Sequence, residues 1–370
     1  MGPAGGAVRL SLTRRSVLVA PLLLLPARRA AAAQPLASLR VWQTENAVLT
    51  PPTLAEGKLF FCGTTHAGCI LPEAEAPLWQ RPHDLPGPAA FRPRVLGERV
   101  IVGGRGGIAC LNRADGSEIW RHVAEIETGV PVLDRDSVVF GDGHRIVARD
   151  LESGAERWRF AAVPDTMAAY APCILGPHVF AGPGDGVLYC LDLASGALVW
   201  AQERRRLWQY LRQIHAAEGL LVAGSYKEQL FGIAPGDGRI LWQFVAGNFI
   251  NSHHLSGDLA CLWSPTGWVY AIDIRTGAVR WRHQTTDYGP GGDNWASLMA
   301  ELASRSGRLY TLDMKDTLRL LDLGDGALRT SGRVPGRVRH AVLPLDDQRV
   351  VFPMMDGSLL MTRAPTIDGD

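Results

Sequence analysis

The sequence is organised by the stretch Ala271-Ile272-Asp273-Ile274-Arg275-Thr276-Gly277-Ala278-Val279-Arg280-Trp281. An apolar run ends on an aspartate, and a glycine then stands four residues ahead of a tryptophan. Thr276 is a turn-forming residue, and glycine can take the positive φ that a tight hairpin turn requires. The stretch therefore predicts a buried strand, a turn and a second strand that presents Trp281.

The same spacing recurs along the chain. A glycine precedes a tryptophan by four residues at five places: Gly116 and Trp120, Gly154 and Trp158, Gly196 and Trp200, Gly238 and Trp242, and Gly277 and Trp281. Weaker copies place Trp79 and Thr330 at the tryptophan position. The seven steps from Trp42 to Thr330 average about 41 residues, which is typical of repeats that form four-stranded propeller blades. The chain is therefore predicted to be all-β and built from repeated blades.

The two ends of the chain complete the series. The C-terminal region carries one more inner strand, Gly357–Thr362, without an outer strand after it, and the N-terminal region carries the isolated outer strand Leu39–Gln43. Joining them in one blade closes the ring and removes exposed sheet edges. We therefore predict an eight-bladed β-propeller of four-stranded antiparallel blades, closed by N- and C-terminal strands. Seven blades remain the alternative if the N-terminal strand is only a tail.

The repeated tryptophans are interpreted as structural. A large apolar ring on an outer strand covers its own blade and fills the gap to the next one. The residues assigned this spacer role are Trp42, Trp79, Trp120, Trp158, Trp200, Trp242 and Trp281.

The pattern Ala-x-Asp-x-x-(Thr/Ser/Asp)-Gly-x-x-x-Trp, clearest at residues 148–158 and 271–281, resembles the tryptophan-docking repeat of the propellers typified by pyrroloquinoline quinone (PQQ) enzymes. The resemblance covers nearly the whole chain after the first 33 residues. It implies either a quinoprotein dehydrogenase or a non-catalytic propeller of the BamB type, the outer-membrane assembly lipoproteins. The chain is close to the BamB type in length, and it has no adjacent cysteine pair of the kind that many quinoprotein alcohol dehydrogenases carry over the cofactor.

The N-terminal region has the pattern of an export signal. Arg14 and Arg15 precede the apolar run Val17–Pro26, and the small residues Ala30–Ala33 suit signal peptidase. Five arginines and no acidic residue fall in the first 33 residues, so the formal charge of +1 becomes −4 for the remainder. We predict a twin-arginine (Tat) signal peptide at 1–33, a propeller at 34–370, a periplasmic location, no membrane anchor and no nucleic-acid partner.

Six cysteines follow the signal region. Cys110 and Cys190 fall at the same position of the repeat, inside a predicted buried strand, where a thiol acts as a small apolar group. Cys62 and Cys69 flank a tight turn, and whether they form a disulfide across the hairpin is left open.

One connection between blades alternates cations with aromatic rings. Arginine and aromatic residues are enriched at protein interfaces, so this segment could bind an anion or a protein partner, and a solvated loop is the alternative. The candidate partner-binding residues are Arg204, Arg205, Arg206, Trp208 and Arg212.

Two other connections are also rich in polar groups. His253 and His254 are neighbours in a predicted strand and point to opposite faces, so a polar channel lining for one of them is preferred to a shared metal. The Gly-rich loop 287–295 offers oxygen ligands and a ring suited to Ca²⁺ and PQQ. The candidate cofactor-binding residues are Asp293, Asn294, Trp295 and Glu301.

The sequence favours a periplasmic, non-catalytic binding or scaffold propeller with a periplasmic or outer-membrane protein partner, no catalytic residues and no cofactor. The alternative is a PQQ- and Ca²⁺-dependent quinoprotein oxidoreductase that uses the loop 287–301. The sequence does not separate a glycan- or peptide-binding propeller from the first hypothesis.

Overall fold

The computed structural model describes residues 33–44, 50–162, 171–182, 184, 186–204, 206–208, 211–225, 229–246, 253–264, 267–285, 302–339 and 341–366. These residues form eight antiparallel sheets arranged as the blades of a ring. The predicted eight-bladed β-propeller is therefore confirmed. In the part of the chain that is described, no helix is long and apolar enough to cross a membrane.

Each blade has four antiparallel strands, counted from the channel outward, and blade 7 adds a short fifth strand at its outer edge. The innermost strands of blades 1 to 8 are β3 (Thr53–Ala55), β7 (Arg94–Leu96), β11 (Val132–Asp134), β15 (Cys173–Leu175), β19 (Arg212–Ala217), β23 (His253–Ser256), β27 (Ala303–Arg305) and β31 (Leu343–Pro344). The second strands are β4 (Lys58–Cys62), β8 (Arg99–Gly104), β12 (Ser137–Asp142), β16 (His178–Ala181), β20 (Leu220–Gly224), β24 (Leu259–Ser264), β28 (Arg308–Leu312) and β32 (Arg349–Pro353).

The outer half of each blade carries the repeat. The third strands are β5 (His66–Ile70), β9 (Gly107–Asn112), β13 (Arg145–Asp150), β17 (Val187–Asp192), β21 (Gln229–Ile233), β25 (Trp268–Asp273), β29 (Thr317–Asp322) and β33 (Leu359–Arg363). The outermost strands are β6 (Trp79–Pro82), β10 (Glu118–Val123), β14 (Glu156–Ala161), β18 (Leu198–Glu203), β22 (Ile240–Val245), β26 (Val279–Gln284), β30 (Leu328–Arg333) and, for blade 8, β2 (Ser38–Trp42).

The repeated tryptophans lie between neighbouring blades. Each indole N–H donates a hydrogen bond to a backbone carbonyl in a turn of the next blade, as in Trp242 to Ile274 at 2.7 Å. The other pairs are Trp42 with Ala74, Trp79 with Arg113, Trp120 with Leu151, Trp158 with Leu193, Trp200 with Pro235 and Trp281 with Leu323. The indole thus joins two blades through one directed bond and a large packed surface.

The glycine of the repeat has a second purpose besides turn geometry. Gly277 has φ +72°, and a Cβ built on it would stand 2.7 Å from the ring of Trp242 in the preceding blade. The same conflict arises at Gly154 with Trp120. The glycine therefore lets the next blade's turn lie flat against the tryptophan, which explains why the two residues recur together.

The ring is closed as predicted. Strand β2 from the N-terminal region pairs antiparallel with β33 from the C-terminal region, with Trp42 opposite Leu359. Trp42 is 1% exposed and packs with Leu59 and Phe61 of blade 1. The N-terminal strand is thus the outer strand of blade 8 and not a tail.

Blade 7 differs from the sequence prediction by one extra strand. Strand β1 (Gln34–Pro35) pairs in parallel with β30, and the Leu36 N–H donates to the Arg333 carbonyl at 2.8 Å. Leu36 is buried in the cluster that joins blades 7 and 8, against the bare backbone of Gly332. Thr330 leaves that seam without a tryptophan, and Leu36 supplies an apolar side chain there instead.

No disulfide joins Cys62 to Cys69, which settles the pairing that the sequence leaves open; all six cysteines are free and buried. Cys69 lies opposite Phe60, whereas Cys62 lies opposite Ala67. The two thiols are therefore diagonal neighbours, whose Cα atoms stand about 7–8 Å apart in antiparallel strands. That separation exceeds the reach of an unstrained disulfide.

Candidate partner-binding surface

The two rims of the propeller differ in the length of their loops. One rim, called here the turn rim, carries the tight hairpins between first and second strands and the short turns before the outermost strands. The other, called the loop rim, carries the hairpins between second and third strands and the longer connections from one blade to the next. Exposed loops held by a rigid scaffold commonly carry binding residues. The candidate residues Arg204, Arg206 and Trp208 belong to the loop-rim connection between β18 of blade 4 and β19 of blade 5.

The connection begins with a compact turn. The backbone N–H groups of Leu207 and Trp208 both donate to the Arg204 carbonyl at 2.8 Å, and the Arg204 N–H donates to Gly186 at 2.8 Å. Arg204 and Arg206 are both exposed. The turn therefore presents two cations to solvent from a backbone that is hydrogen-bonded to its own blade.

Trp208 lies in the core and not on the surface. Its side chain is 0% exposed and packs between blades 4 and 5, with its ring centroid 6.3 Å from that of Phe231. The Arg204 guanidinium carbon is 5.9 Å from the centre of the Trp208 ring, within the range of a cation–π contact. Direct partner contact by Trp208 does not fit this burial, so the indole acts as the anchor of the loop.

Some buried hydrogen-bonding atoms of blade 5 and of the connection that leads into it have no partner among the described residues. The buried atoms without one include Trp208 Nε1, Ser225 Oγ and Gln229 Oε1. Ser225 and Gln229 flank the hairpin of blade 5 on the loop rim, where the Ser225 N–H donates to the Gln229 carbonyl at 2.8 Å. Buried polar atoms are usually paired, and each unpaired one costs about 1–3 kcal/mol. Trp208 Nε1 is thus an unpaired donor in the seam between blades 4 and 5, and Gln229 Oε1 is an unpaired acceptor at the blade 5 hairpin.

Two of the candidate partner-binding residues fall wholly or partly outside the described residues. Arg205 and the side chain of Arg212 lie outside the described residues, although the backbone of Arg212 opens β19. Their role in binding remains a prediction.

The two histidines of β23 have different surroundings. His253 is buried, with its ring centroid 4.8 Å from that of His215 on the neighbouring innermost strand. His254 is half-buried, and its Nε2 lies 2.8 Å from Ser304 Oγ of β27. The side chains of His253 and His254 therefore point away from each other, toward His215 and Ser304. Within the described residues, no group of three or more His, Cys, Asp or Glu side chains is arranged to hold a metal ion.

Burial keeps His253 neutral. Desolvation, reinforced by the nearby His215, holds the pKa of His253 well below its ordinary value of 6.5, and a backbone hydrogen bond with Val222 offsets this only in part. The unfolded chain therefore binds a proton below pH 6.5 that the folded chain does not. Stability is lost as the pH falls below 6.5.

The His253→Gln variant should lose part of this pH dependence. Between pH 7.5 and 5.5, the wild-type free energy of unfolding should fall by about 1.4 kcal/mol more than that of the variant. Urea unfolding at the two pH values measures the difference. An identical fall in both proteins would mean that His253 is protonated in the folded state.

The predicted cofactor residues Asp293, Asn294, Trp295 and Glu301 all lie outside the described residues. The PQQ and Ca²⁺ hypothesis therefore stays a hypothesis for this chain.

The family model and the curated relatives that match this chain carry the same description. The family model described as outer membrane protein assembly factor BamB matches residues 104–260 and 265–366. Curated relatives of that name include one from Bordetella pertussis, 22% identical over 50% of this chain and 52% of its own length, and one from Xanthomonas campestris, 28% identical over 74% and 66%. The chain thus spans between half and two thirds of the length of these relatives.

Solved structures agree on the fold. BamB from Moraxella catarrhalis superposes with a TM-score of 0.69 at 17% identity, covering 89% of this chain and 100% of that one. The WD40 domain of Sif2 gives a TM-score of 0.72 at 11% identity, covering 91% and 100%. At these identities the likeness shows the propeller fold alone.

Proposed function

The chain belongs to the family of the outer membrane protein assembly factor BamB, and we propose that it is a non-catalytic periplasmic propeller that binds a protein partner in outer-membrane protein assembly. The family match supports the class of function. The loop between blades 4 and 5 is the feature of this chain that supports a binding surface. No cofactor is needed for that role.

The single observation that carries the proposal is the combination of exposed arginines with a buried anchor. Arg204 and Arg206 stand in solvent, while Trp208, four residues after Arg204, is fixed in the seam between two blades. A loop fixed in this way loses little conformational entropy when a partner binds. Arginine also pairs well with carboxylates, so the partner surface is expected to carry acidic groups.

A periplasmic location is part of this proposal. It is supported by Arg14 and Arg15 ahead of an apolar run in the sequence, and by the family name. The partner is accordingly sought among periplasmic and outer-membrane proteins.

Replacing Arg204 and Arg206 together with alanine should weaken partner binding by about tenfold or more, since arginines at the centre of an interface commonly contribute more than 1 kcal/mol each. The partner is first captured by chemical cross-linking in the native host and purified, and its affinity for each protein is then measured by calorimetry.

Arg239→Ala provides the matched control. Arg239 is on the turn rim of the same blade 5, its side chain is 70% exposed, and it lies 3.7 Å from Asp237. The control should bind as the wild type does. Unchanged affinity in the Arg204 and Arg206 double variant would remove this loop from the interface.

A further inference from the structure

The chain has six free cysteines, which is unusual for a protein of an oxidising compartment. Five of the cysteines are 0% exposed and Cys173 is 7% exposed, and none is bonded to another. Burial raises the pKa of Cys62, Cys110, Cys173 and Cys261 to about 12, and that of Cys69 and Cys190 to about 11. The thiolate is the reactive form of cysteine. The fold therefore protects these groups in two ways, because burial keeps oxidants away from them and keeps them protonated.

The fold keeps the thiols apart as well as covered. Cys173 and Cys190 belong to one blade, but Phe180 lies between them, paired with Cys173 on one side and with Cys190 on the other. Two strand spacings separate them, which is about 10 Å. Apart from the diagonal neighbours of blade 1, the remaining cysteines lie in different blades. Because all six cysteines are free in the folded chain, every disulfide within it would be non-native.

Three of these cysteines share one structural position. Cys69, Cys110 and Cys190 each lie directly opposite a docking tryptophan, namely Trp79, Trp120 and Trp200. Blades 3 and 6 have alanine there, with Ala148 opposite Trp158 and Ala271 opposite Trp281. A disulfide at any of the three would prevent the tryptophan from docking, so oxidation of the unfolded chain would block the ring.

The unfolded chain has none of this protection. Its thiols are exposed and their pKa is ordinary, and six thiols allow about 15 complete pairings. One protein thiolate attacks the disulfide of an oxidant and releases one of its thiols; a second protein thiolate then displaces the other. The chain gains a disulfide, and the oxidant leaves as two thiols that carry both electrons and both protons.

We propose that this chain must complete its fold before it meets an oxidant, and that its twin-arginine leader serves this need by exporting the folded propeller. Export after folding would let the chain fold in a reducing compartment and then function in an oxidising one. The buried, unpaired thiols give a physical reason for such a leader. The in vivo part of the inference rests on the proposed periplasmic location, whereas the requirement on the order of folding and oxidation does not.

The first test uses the purified protein. Chain unfolded in guanidinium with reductant is diluted into buffer containing either reduced or oxidised glutathione, and recovery is followed by circular dichroism. Oxidised buffer should lower recovery by about fivefold or more, because every one of about 15 pairings is non-native. Folded protein kept in the same oxidised buffer should retain its signal and, after unfolding, six titratable thiols.

A thiol-free variant separates oxidation from other causes of failure. The substitutions are alanine at Cys62, Cys69, Cys110 and Cys190, and valine at Cys173 and Cys261. Valine suits position 261 because Val139 and Val222 occupy the equivalent position in blades 3 and 5. This variant should recover equally in both buffers. Should it not fold, the wild-type chain refolded in the presence of reductant serves as the reference. Equal recovery of the wild type in reduced and oxidised buffer would overturn the inference.

The second test is made in cells. With its own leader, the wild-type chain should reach the periplasm folded, with free thiols. With a Sec-type leader, it should accumulate as protease-sensitive mixed disulfides, and removal of the host's periplasmic thiol oxidase should restore it. Folded, fully reduced protein from the Sec-type leader would overturn the inference. If the native leader does not export the chain at all, the proposed location fails, and the refolding experiment still decides the order of folding and oxidation.

Discussion

Replacing Trp42 with alanine is expected to lower the free energy of unfolding by about 3–5 kcal/mol, the range for removing a buried tryptophan. Trp42 is 1% exposed, and its indole donates to the Ala74 carbonyl of blade 1 at 2.9 Å. It belongs to the strand that joins the N-terminal region to blade 8. Its loss therefore opens a cavity between blades 8 and 1, beside the strand pair that closes the ring. Urea unfolding followed by circular dichroism gives the value.

Two further variants identify the cause of that loss. Trp42→Phe keeps most of the ring and removes the hydrogen bond, so it should cost less, at least about 1 kcal/mol. Val41→Ala changes a neighbour on the same strand that is 48% exposed, and it should stay within about 0.5 kcal/mol of the wild type. A Trp42→Ala variant as stable as Val41→Ala would mean that the N-terminal strand does not close the ring.

Gly277→Ala is expected to cost about 2–4 kcal/mol, with two separate origins. Gly277 has φ +72°, a conformation that alanine adopts only with strain, and the new Cβ would stand 2.7 Å from the Trp242 ring. The turn and the docked indole must both shift. Thermal and urea unfolding of the purified variant measure the loss.

Gly257→Ala isolates the backbone contribution. Gly257 lies in the same blade 6 with φ +58°, but nothing stands within 4 Å of a Cβ built there. It should cost only the backbone strain of about 1–2 kcal/mol. Equal costs at the two positions would show that the contact between glycine and tryptophan adds nothing to blade docking.

The repeat could be predicted from the sequence because it is local. Asp273 illustrates this: its carboxylate accepts hydrogen bonds from the backbone of Arg275 and Thr276 and pairs with Arg280, all within seven residues. The pKa of Asp273 is lowered to about 2, and the hydrogen bond from Arg280 is the largest cause. Such short-range chemistry leaves a pattern that can be counted, and the number of copies then predicts the number of blades.

Long-range substitutions leave no such pattern. Leu36 fills the seam between blades 7 and 8, which lacks a tryptophan at Thr330, yet it is nearly 300 residues away in sequence. A parallel pair of two residues has no periodicity of its own. The only signal was the absence of tryptophan at position 330, which indicates a gap without indicating what fills it.

The candidate surface was predicted only in part for a related reason. Alternating cations and aromatic rings suggest an exposed face, and the structure does expose Arg204 and Arg206. Trp208 belongs to the same segment but meets Phe231 across the seam between blades 4 and 5. Which aromatic residue of a loop turns inward depends on the space between two blades, and a single sequence does not record that space.

The measurement that tests the proposed function most directly is site-specific photo-cross-linking in the native host. A photoreactive residue is placed at position 206 on the loop rim, and in a second protein at position 239 on the turn rim of the same blade. We predict that position 206 cross-links to an outer-membrane assembly protein and that position 239 does not. Cross-linking from position 239 alone would contradict a partner-binding surface at the connection between blades 4 and 5.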